Sequence, residues 1–232
     1  MAFQDPEPAS GSDPATEQEP ALAAEIFGDR LALVRRYVDL LTGPGVQRGL
    51  IGPRETGRLW TRHVLNSAAL AELVPAGVRV VDIGSGAGLP GVPLTLARPD
   101  LHVDLVEPLL RRSTFLTEVV AELGLDRCRV VRARAEDVVG EVGGAEVVTA
   151  RAVAPLGKLA GWAAPLLRMG GELLALKGTS APEEVERDRD EVRRAGITDV
   201  TVVRVGADLA GAATVVVRGR RGAAGPSRRR IR

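Results

Sequence analysis

Two carboxylates and a run of glycines stand at spacings that build a cradle for a nucleoside. The run is Val80-Val81-Asp82-Ile83-Gly84-Ser85-Gly86-Ala87-Gly88-Leu89-Pro90-Gly91, and Glu107 follows at the end of the next apolar stretch. Gly84, Gly86 and Gly88, coming directly after a β-branched segment, allow positive φ and close approach of a ligand to the backbone. A helix opening after them turns its first amides into the crevice where open α/β sheets bind ligands. A bare strand–helix turn needs neither three alternating glycines nor two placed acids.

Two ligands compete for such a loop. Gly86-x-Gly88-x-x-Gly91 matches a dinucleotide fingerprint. The acids favour S-adenosylmethionine. Asp82 lies two residues before the first glycine, suited to the methionine end of that cofactor and badly placed beside a pyrophosphate. Glu107 can accept both ribose hydroxyl hydrogens and would repel a 2′-phosphate. In Arg132-Ala133-Arg134-Ala135-Glu136-Asp137, Glu136 is a candidate partner for an adenine amino group, or else simply starts the next turn.

Cations come next. Arg151 and Lys177 both fall at carboxyl ends of expected strands, on the edge that carries the glycine loop. Either can hold a base oxygen, and Arg151 can instead pair a cofactor carboxylate. Lys177 reads equally as a solvated strand end. Arg54, Arg58 and Arg62 recur at four-residue spacing, a phosphate-gripping face or a solvated one, with His63 beside them. His63 reads more readily as a packed helix residue, with no carboxylate partner visible in the sequence.

The elements that must position these groups follow from periodicity. Residues 21–75 carry helical patterns: Leu22, Ile26, Leu33, Val34, Tyr37, Val38, Leu40 and Leu41, stopped by Gly43-Pro44-Gly45, and then Glu55 to Val74. From Arg79 the pattern becomes strand–helix. Strands are expected at Arg79–Ile83, Val103–Glu107, Arg129–Arg132, Glu146–Ala150 and Glu172–Leu176. Helices are expected through Ala97 and at Arg111–Leu123, Leu159–Leu167 (ended by Gly170-Gly171) and Glu183–Arg194. Val200–Val205 and Thr214–Val217 have no helix between them and can only form an antiparallel hairpin. The fold class is therefore α/β: a Rossmann-like class I S-adenosylmethionine-dependent methyltransferase fold, with a mostly parallel seven-stranded sheet, a C-terminal antiparallel hairpin and an N-terminal helical cap. The boundaries are an acidic, disordered tail 1–20, a cap 21–75, a methyltransferase domain 76–218 and a basic, disordered tail 219–232.

Composition narrows the rest. The chain has 232 residues, 45% hydrophobic and 26% charged, enough for one continuous core. No window approaches the length of a membrane helix, and the acidic start is not a signal peptide. A single cysteine excludes an internal disulfide framework, and two histidines argue against a metal site. The net charge of +1 hides two opposed tails: Asp5, Glu7, Asp13, Glu17 and Glu19 before residue 20, and arginines clustered after residue 217. Only Lys158 and Lys177 are lysines, so arginine abundance is a chain-wide bias. A cytoplasmic monomer is expected.

Arg62-His63-Val64-Leu65-Asn66-Ser67, the Asp82–Gly91 loop, Arg132–Glu136, Ala150-Arg151-Ala152 and Leu176-Lys177-Gly178 together resemble the bacterial 16S rRNA guanine-N7 methyltransferase family, also called glucose-inhibited division protein B, over roughly residues 21–217. The resemblance implies cofactor contacts at Gly84, Leu89, Ala135, Glu136 and Arg151, and action on 16S rRNA of the 30S subunit near the decoding region. Asn66 stands where many relatives have aspartate, and both tails lie outside the resemblance. The chemistry agrees with a ring-nitrogen acceptor. The Asp/Asn-Pro-Pro-aromatic signature of amine methyltransferases is absent after the fourth strand, where Thr149-Ala150-Arg151-Ala152-Val153-Ala154-Pro155 stands instead. The competing readings are a small-molecule methyltransferase, a nicotinamide-dependent oxidoreductase and a noncatalytic RNA-binding module.

Overall fold

A computed structural model of the chain describes residues 16–206 and 213–222. Its strands are β1 (Arg79–Ile83), β2 (His102–Val106), β3 (Cys128–Val131), β4 (Ala145–Arg151), β5 (Leu167–Lys177), β6 (Ile197–Val205) and β7 (Thr214–Arg221). Its α-helices are α1 (Leu22–Phe27), α2 (Leu31–Leu40), α3 (Asn66–Ala68), α4 (Gly91–Ala97), α5 (Leu110–Glu122), α6 (Val139–Val142), α7 (Leu156–Leu166) and α8 (Ala181–Arg194). The strands form one seven-stranded sheet in the order β3-β2-β1-β4-β5-β7-β6. β1 to β5 are mutually parallel, and β7 runs antiparallel to both β5 and β6.

A parallel strand covered on both faces must be apolar on both. β1 shows how this is met. Val80 packs with the cap, α4 and α5 on one face, and Val81 and Ile83 pack with α7 on the other. Asp82 shares the face of Val80 because side chains alternate with period two. The same alternation sends the acid under the cap. Cys128 is buried, and burial pushes its thiol up to about 12, so it stays protonated and unreactive at neutral pH.

The cap is less regular than its periodicity predicts. α2 does not stop at Gly43 but continues as a widened helical turn over Leu41–Gly45. The expected single helix Glu55–Val74 is a tight turn over Pro53–Arg58, a wide turn over Leu59–Leu65, then α3 and another tight turn to Leu73. The four-residue spacing of Arg54, Arg58 and Arg62 therefore does not lie along one regular face.

Three boundaries move for tertiary reasons. Gly170-Gly171 does not end α7, which stops at Leu166. Leu167 already pairs with Ala145, and the glycines lie in a β5 bulge where the register with β4 shifts. A Cβ on Gly171 would come within 2.9 Å of the Glu146 carbonyl oxygen. β7 extends through Gly219, Arg220 and Arg221 because β5 and β6 pair with it on both sides, so the basic tail cannot begin at residue 219. Finally, part of the segment read as a disordered acidic tail is held by the cap. The Glu17 backbone N–H donates to Thr56 O, the Glu17 carboxylate accepts from the Thr61 N–H, and Glu19 binds Arg35. Residues 1–15 and 223–232 of the two expected tails lie outside the described residues. No helix among the described residues is long and apolar enough to cross a membrane.

Candidate active site

β1 has β2 on one side and β4 on the other, so the chain crosses over in opposite directions there and leaves a crevice at the carboxyl ends. A cavity of about 830 Å³ opens at that point. Gly84, Gly86, Leu89, Glu107, Ala135, Glu136 and Arg151 line it, with Arg62 and His63 from the cap. Nine of the sequence candidates thus converge on one space.

The loop after β1 is a folded turn with most of its amides already used. Gly84 and Ser85 N–H donate to Val106 O, Gly88 and Leu89 N–H donate to Ser85 O, and Gly86 N–H donates to Glu107 Oε2 at 3.0 Å. A phosphate cradle requires free amides. Here the amides of Gly84, Ser85, Gly86, Gly88 and Leu89 serve the turn and the carboxylate, which weighs against the dinucleotide reading. Glycine is required at Gly84 by its φ of +67° and by Val153, whose methyl a Cβ would meet at 2.9 Å. Over Gly86, a Cβ would meet nothing nearer than Gly84 O at 3.8 Å, so a ligand can reach the backbone there.

Glu107 is the first residue after β2, and its side chain is 2% exposed. Oε1 accepts the Leu109 N–H at 2.9 Å, and Arg112 stands 3.9 Å from Oε2. A carboxylate offers about four acceptor positions, and the two backbone amides leave room for two hydroxyl donors. The residues present fit an S-adenosyl nucleoside.

Asp82 and Gly88 stand behind the cavity wall. Asp82 is fully buried, and its Oδ2 accepts the Gly91 N–H at 3.2 Å. Its Oδ1 is the one buried side-chain polar atom without a partner among the described residues. Burial raises its pKa to about 7, against the pull of Ser85 and the Gly91 amide, with the Glu107 charge adding to the rise. Gly88 packs on Tyr37 of α2, whose hydroxyl donates to Ala87 O at 2.9 Å. Burial pushes that phenol well above its ordinary range, so it remains a donor. Tyr37 braces the loop from the cap, a long-range contact that the sequence reading did not find.

Lys177 does not reach the cavity. Its Nζ is held by Glu184 at 2.8 Å and Ala154 O at 2.9 Å, and its side chain is 10% exposed. It is neither a base-holding cation nor a solvated strand end. It is a buried tie between β5 and α8. Arg54 and Arg58 also lie outside the lining. Arg58 binds Glu55 at 2.7 Å, and Arg62 stands 3.7 Å from the same acid. His63 does have a carboxylate partner: Glu55 Oε2 lies 2.8 Å from its Nε2. On a regular helix residues eight apart are separated by about 12 Å, so the contact depends on the break at Arg58 between the tight and the wide turn, and no spacing in the sequence signals it. Trp162 and Lys158, one turn apart on α7, add an aromatic wall with the ammonium 4.9 Å from the ring centroid. Among the described residues no cluster of three or more His, Cys, Asp or Glu is arranged to hold a metal.

Comparison with known proteins decides the family. A family model described as rRNA small subunit methyltransferase G matches residues 30–210. The chain belongs to the rRNA small subunit methyltransferase G family. The relative of that name from Corynebacterium jeikeium (strain K411) is 57% identical over 208 residues, covering 89% of this chain and 92% of its own. The one from Mycolicibacterium smegmatis is 56% identical over 220 residues, covering 94% and 92%. Among solved structures, precorrin-6y C5,15-methyltransferase from Geobacter metallireducens aligns with TM-score 0.51 at 12% identity, over 74% of this chain and 90% of that one. Aeropyrum pernix fibrillarin, solved with bound S-adenosylmethionine, aligns with TM-score 0.50 at 19% identity, over 67% and 73%. At these identities the structural likeness establishes the fold alone, the class I methyltransferase fold expected for a member of the rRNA small subunit methyltransferase G family.

Proposed function

We infer that the chain transfers a methyl group from S-adenosylmethionine to N7 of a guanine in 16S rRNA. The observation that carries the reading is the buried Glu107 carboxylate. It is fixed by two backbone amides at the edge of the cavity, in a chain 57% identical to a relative named for the small ribosomal subunit RNA. Glu107 accepts the ribose hydroxyls. Gly84, Gly86 and Leu89 form the floor. Ala135 and Glu136 meet the adenine, beside the Trp162 wall.

The cofactor supplies a methyl group on a cationic sulfur and leaves as S-adenosylhomocysteine. Guanine N7 carries a lone pair and no proton, so no residue has to act as a base. The work of the protein is alignment, which holds the reacting atoms about 3–3.5 Å apart in line. Arg151 provides cationic charge at the cavity edge, for the cofactor carboxylate or for guanine O6. N7 lies on the major-groove edge, which side chains cannot enter in A-form RNA, so the target guanine is taken from a loop or splayed from its stack. Arg54, Arg58 and Arg62 face the RNA from the cap. The enzyme acts as a cytoplasmic monomer on the rRNA of the 30S subunit and uses no metal.

Labelled methyl transfer tests this reading. Unmodified 30S subunits, naked 16S rRNA and small-molecule acceptors are each offered with labelled cofactor, and the modified base is mapped. Label in a single 7-methylguanine is expected. Label only in small molecules, or in an exocyclic amine, would refute it. A second arm, equilibrium dialysis, should retain S-adenosylmethionine and not NAD.

A further inference from the structure

His63 stands between two groups with opposite demands. Its Nδ1 is 2.8 Å from Arg151 Nη2, and its Nε2 is 2.8 Å from Glu55 Oε2. A guanidinium nitrogen brings hydrogens and no lone pair, so Nδ1 must accept. A carboxylate brings lone pairs and no hydrogen, so Nε2 must donate. Only the neutral Nε2–H imidazole satisfies both partners.

Arg151 is correspondingly committed. Nη1 donates to Ser67 Oγ at 3.2 Å and His63 O at 3.4 Å, and Nη2 donates to Arg62 O at 3.1 Å and His63 Nδ1. These four bonds use the four terminal hydrogens of the guanidinium. Its Nε–H, without a partner among the described residues, is the donor left for the cavity. The next residue, Ala152, has a φ of +52°, a conformation that a non-glycine residue holds only where its surroundings impose it. The cap thus fastens the end of β4 through one guanidinium, and His63 supplies the shortest of the four bonds.

We propose that His63, backed by Glu55, is a positioning residue that holds Arg151 at the mouth of the cavity, and that protonation of Nδ1 releases the hold. A proton taken up from solvent at Nδ1 sets a donor against a donor and a cation against a cation. The groups facing the imidazole are Arg151 at the end of β4, Arg62 beside it, Glu55 with its own partner Arg58, and, across Arg151, Tyr37 of α2. Burial and the Arg151 charge hold His63 below its ordinary pKa of 6.5, against the opposing pull of Glu55. The neutral form therefore predominates at neutral pH, and the hold fails on the acid side. The linkage has the same sign: this stability is present above about pH 6.5 and is lost as pH falls through the lower folded value.

The proposal rests on the methyltransferase reading, and its first test does not. His63 and His102 are the only histidines, so imidazole ¹⁵N signals of the full cofactor-free chain are resolved by comparison with exposed His102. His63 is expected as the neutral Nε2–H tautomer at pH 7.5, titrating below 6.5. An Nδ1–H tautomer or an imidazolium at pH 7.5 would overturn the proposal. The second test is the pH profile of single-turnover methyl transfer to 16S rRNA. His63→Ala should slow transfer about tenfold or more, the worth of one hydrogen bond to a charged group. His63→Gln, whose amide accepts from Arg151 and donates to Glu55 but does not titrate, should recover most of that loss and lose the acid limb. Glu55→Gln should move the limb to lower pH. An unchanged limb in His63→Gln, or an upward move in Glu55→Gln, would reject the role. A parent chain that transfers no methyl would instead reject the function, leaving the tautomer to decide the proposal.

Discussion

Asp82 places its carboxyl where water cannot reach it, with one oxygen bonded to the Gly91 amide and the other bonded to nothing among the described residues. A carboxyl raised to about 7 from 3.8 binds its proton more tightly folded than unfolded. Its contribution is complete at pH values below about 4 and is lost as pH rises through 7. Asp82→Asn should remove that slope: the difference in urea midpoint between variant and parent should grow in favour of the variant from about pH 4 to 7 and then level off. A constant difference across this range would contradict the assignment. Glu107 is a buried carboxylate whose two amide donors leave acceptor positions open. Glu107→Ala should weaken S-adenosylmethionine binding by at least about tenfold by calorimetry, since each hydrogen bond to a charged group is worth about 1.5–3 kcal/mol. Unchanged affinity would place the ribose elsewhere. Both acids stood out in the sequence because each ends, or nearly ends, an apolar run expected to be a strand. That Asp82 lies under the loop and Glu107 at its edge was not legible, since this depends on which face of β1 the cap covers.

α7 opens at Leu156, and the residue before it is Pro155, which has no side-chain oxygen to cap the exposed amides. α8 supplies the acceptors from a distance. Glu184 Oε1 accepts the Leu156 N–H at 2.8 Å, and Asp188 Oδ2 accepts the Gly157 N–H at 3.0 Å. Lys177 neutralises Glu184 and also ties down Ala154 O, so the segment from Ala154 to Gly157 is held by β5 and α8. Removing one partner of a buried ion pair typically costs about 3–5 kcal/mol. Lys177→Met should therefore lower the unfolding midpoint sharply while leaving cofactor affinity within a few-fold, as read by thermal melts and calorimetry. Preserved stability with lost methyl transfer would restore Lys177 to a role at the substrate. The lysine stood out in an arginine-biased chain, and its environment explains why: a compact ammonium fits between a carboxylate and a carbonyl where a planar guanidinium would not.

At the level of the whole chain, the arginines of the C-terminal end divide into two groups. Arg218 binds Glu172 and Arg221 donates to Ala195 O, so they serve β7, whereas Arg228, Arg229, Arg230 and Arg232 lie outside the described residues. Truncation after Gly222 should leave the melting temperature unchanged and reduce the salt dependence of rRNA binding by about 0.7 in slope for each arginine that contacts a phosphate. Truncation after Arg218 removes paired residues of β7 and should destabilise the fold. Equal salt slopes for the full and the shorter chain would exclude the tail from RNA binding. The parallel sheet, its closing hairpin, the glycine loop and the acid that follows β2 could all be read directly from the chain, because alternation, turn residues and strand ends are local patterns of side-chain chemistry. The bracing of the loop by Tyr37, the tie between Lys177 and Glu184, and the Glu55–His63–Arg151 relay could not. Each joins residues from separately folded segments, and their meeting is set by how the cap and α8 dock on the sheet, a choice made by the packing of buried surfaces that no window of sequence contains.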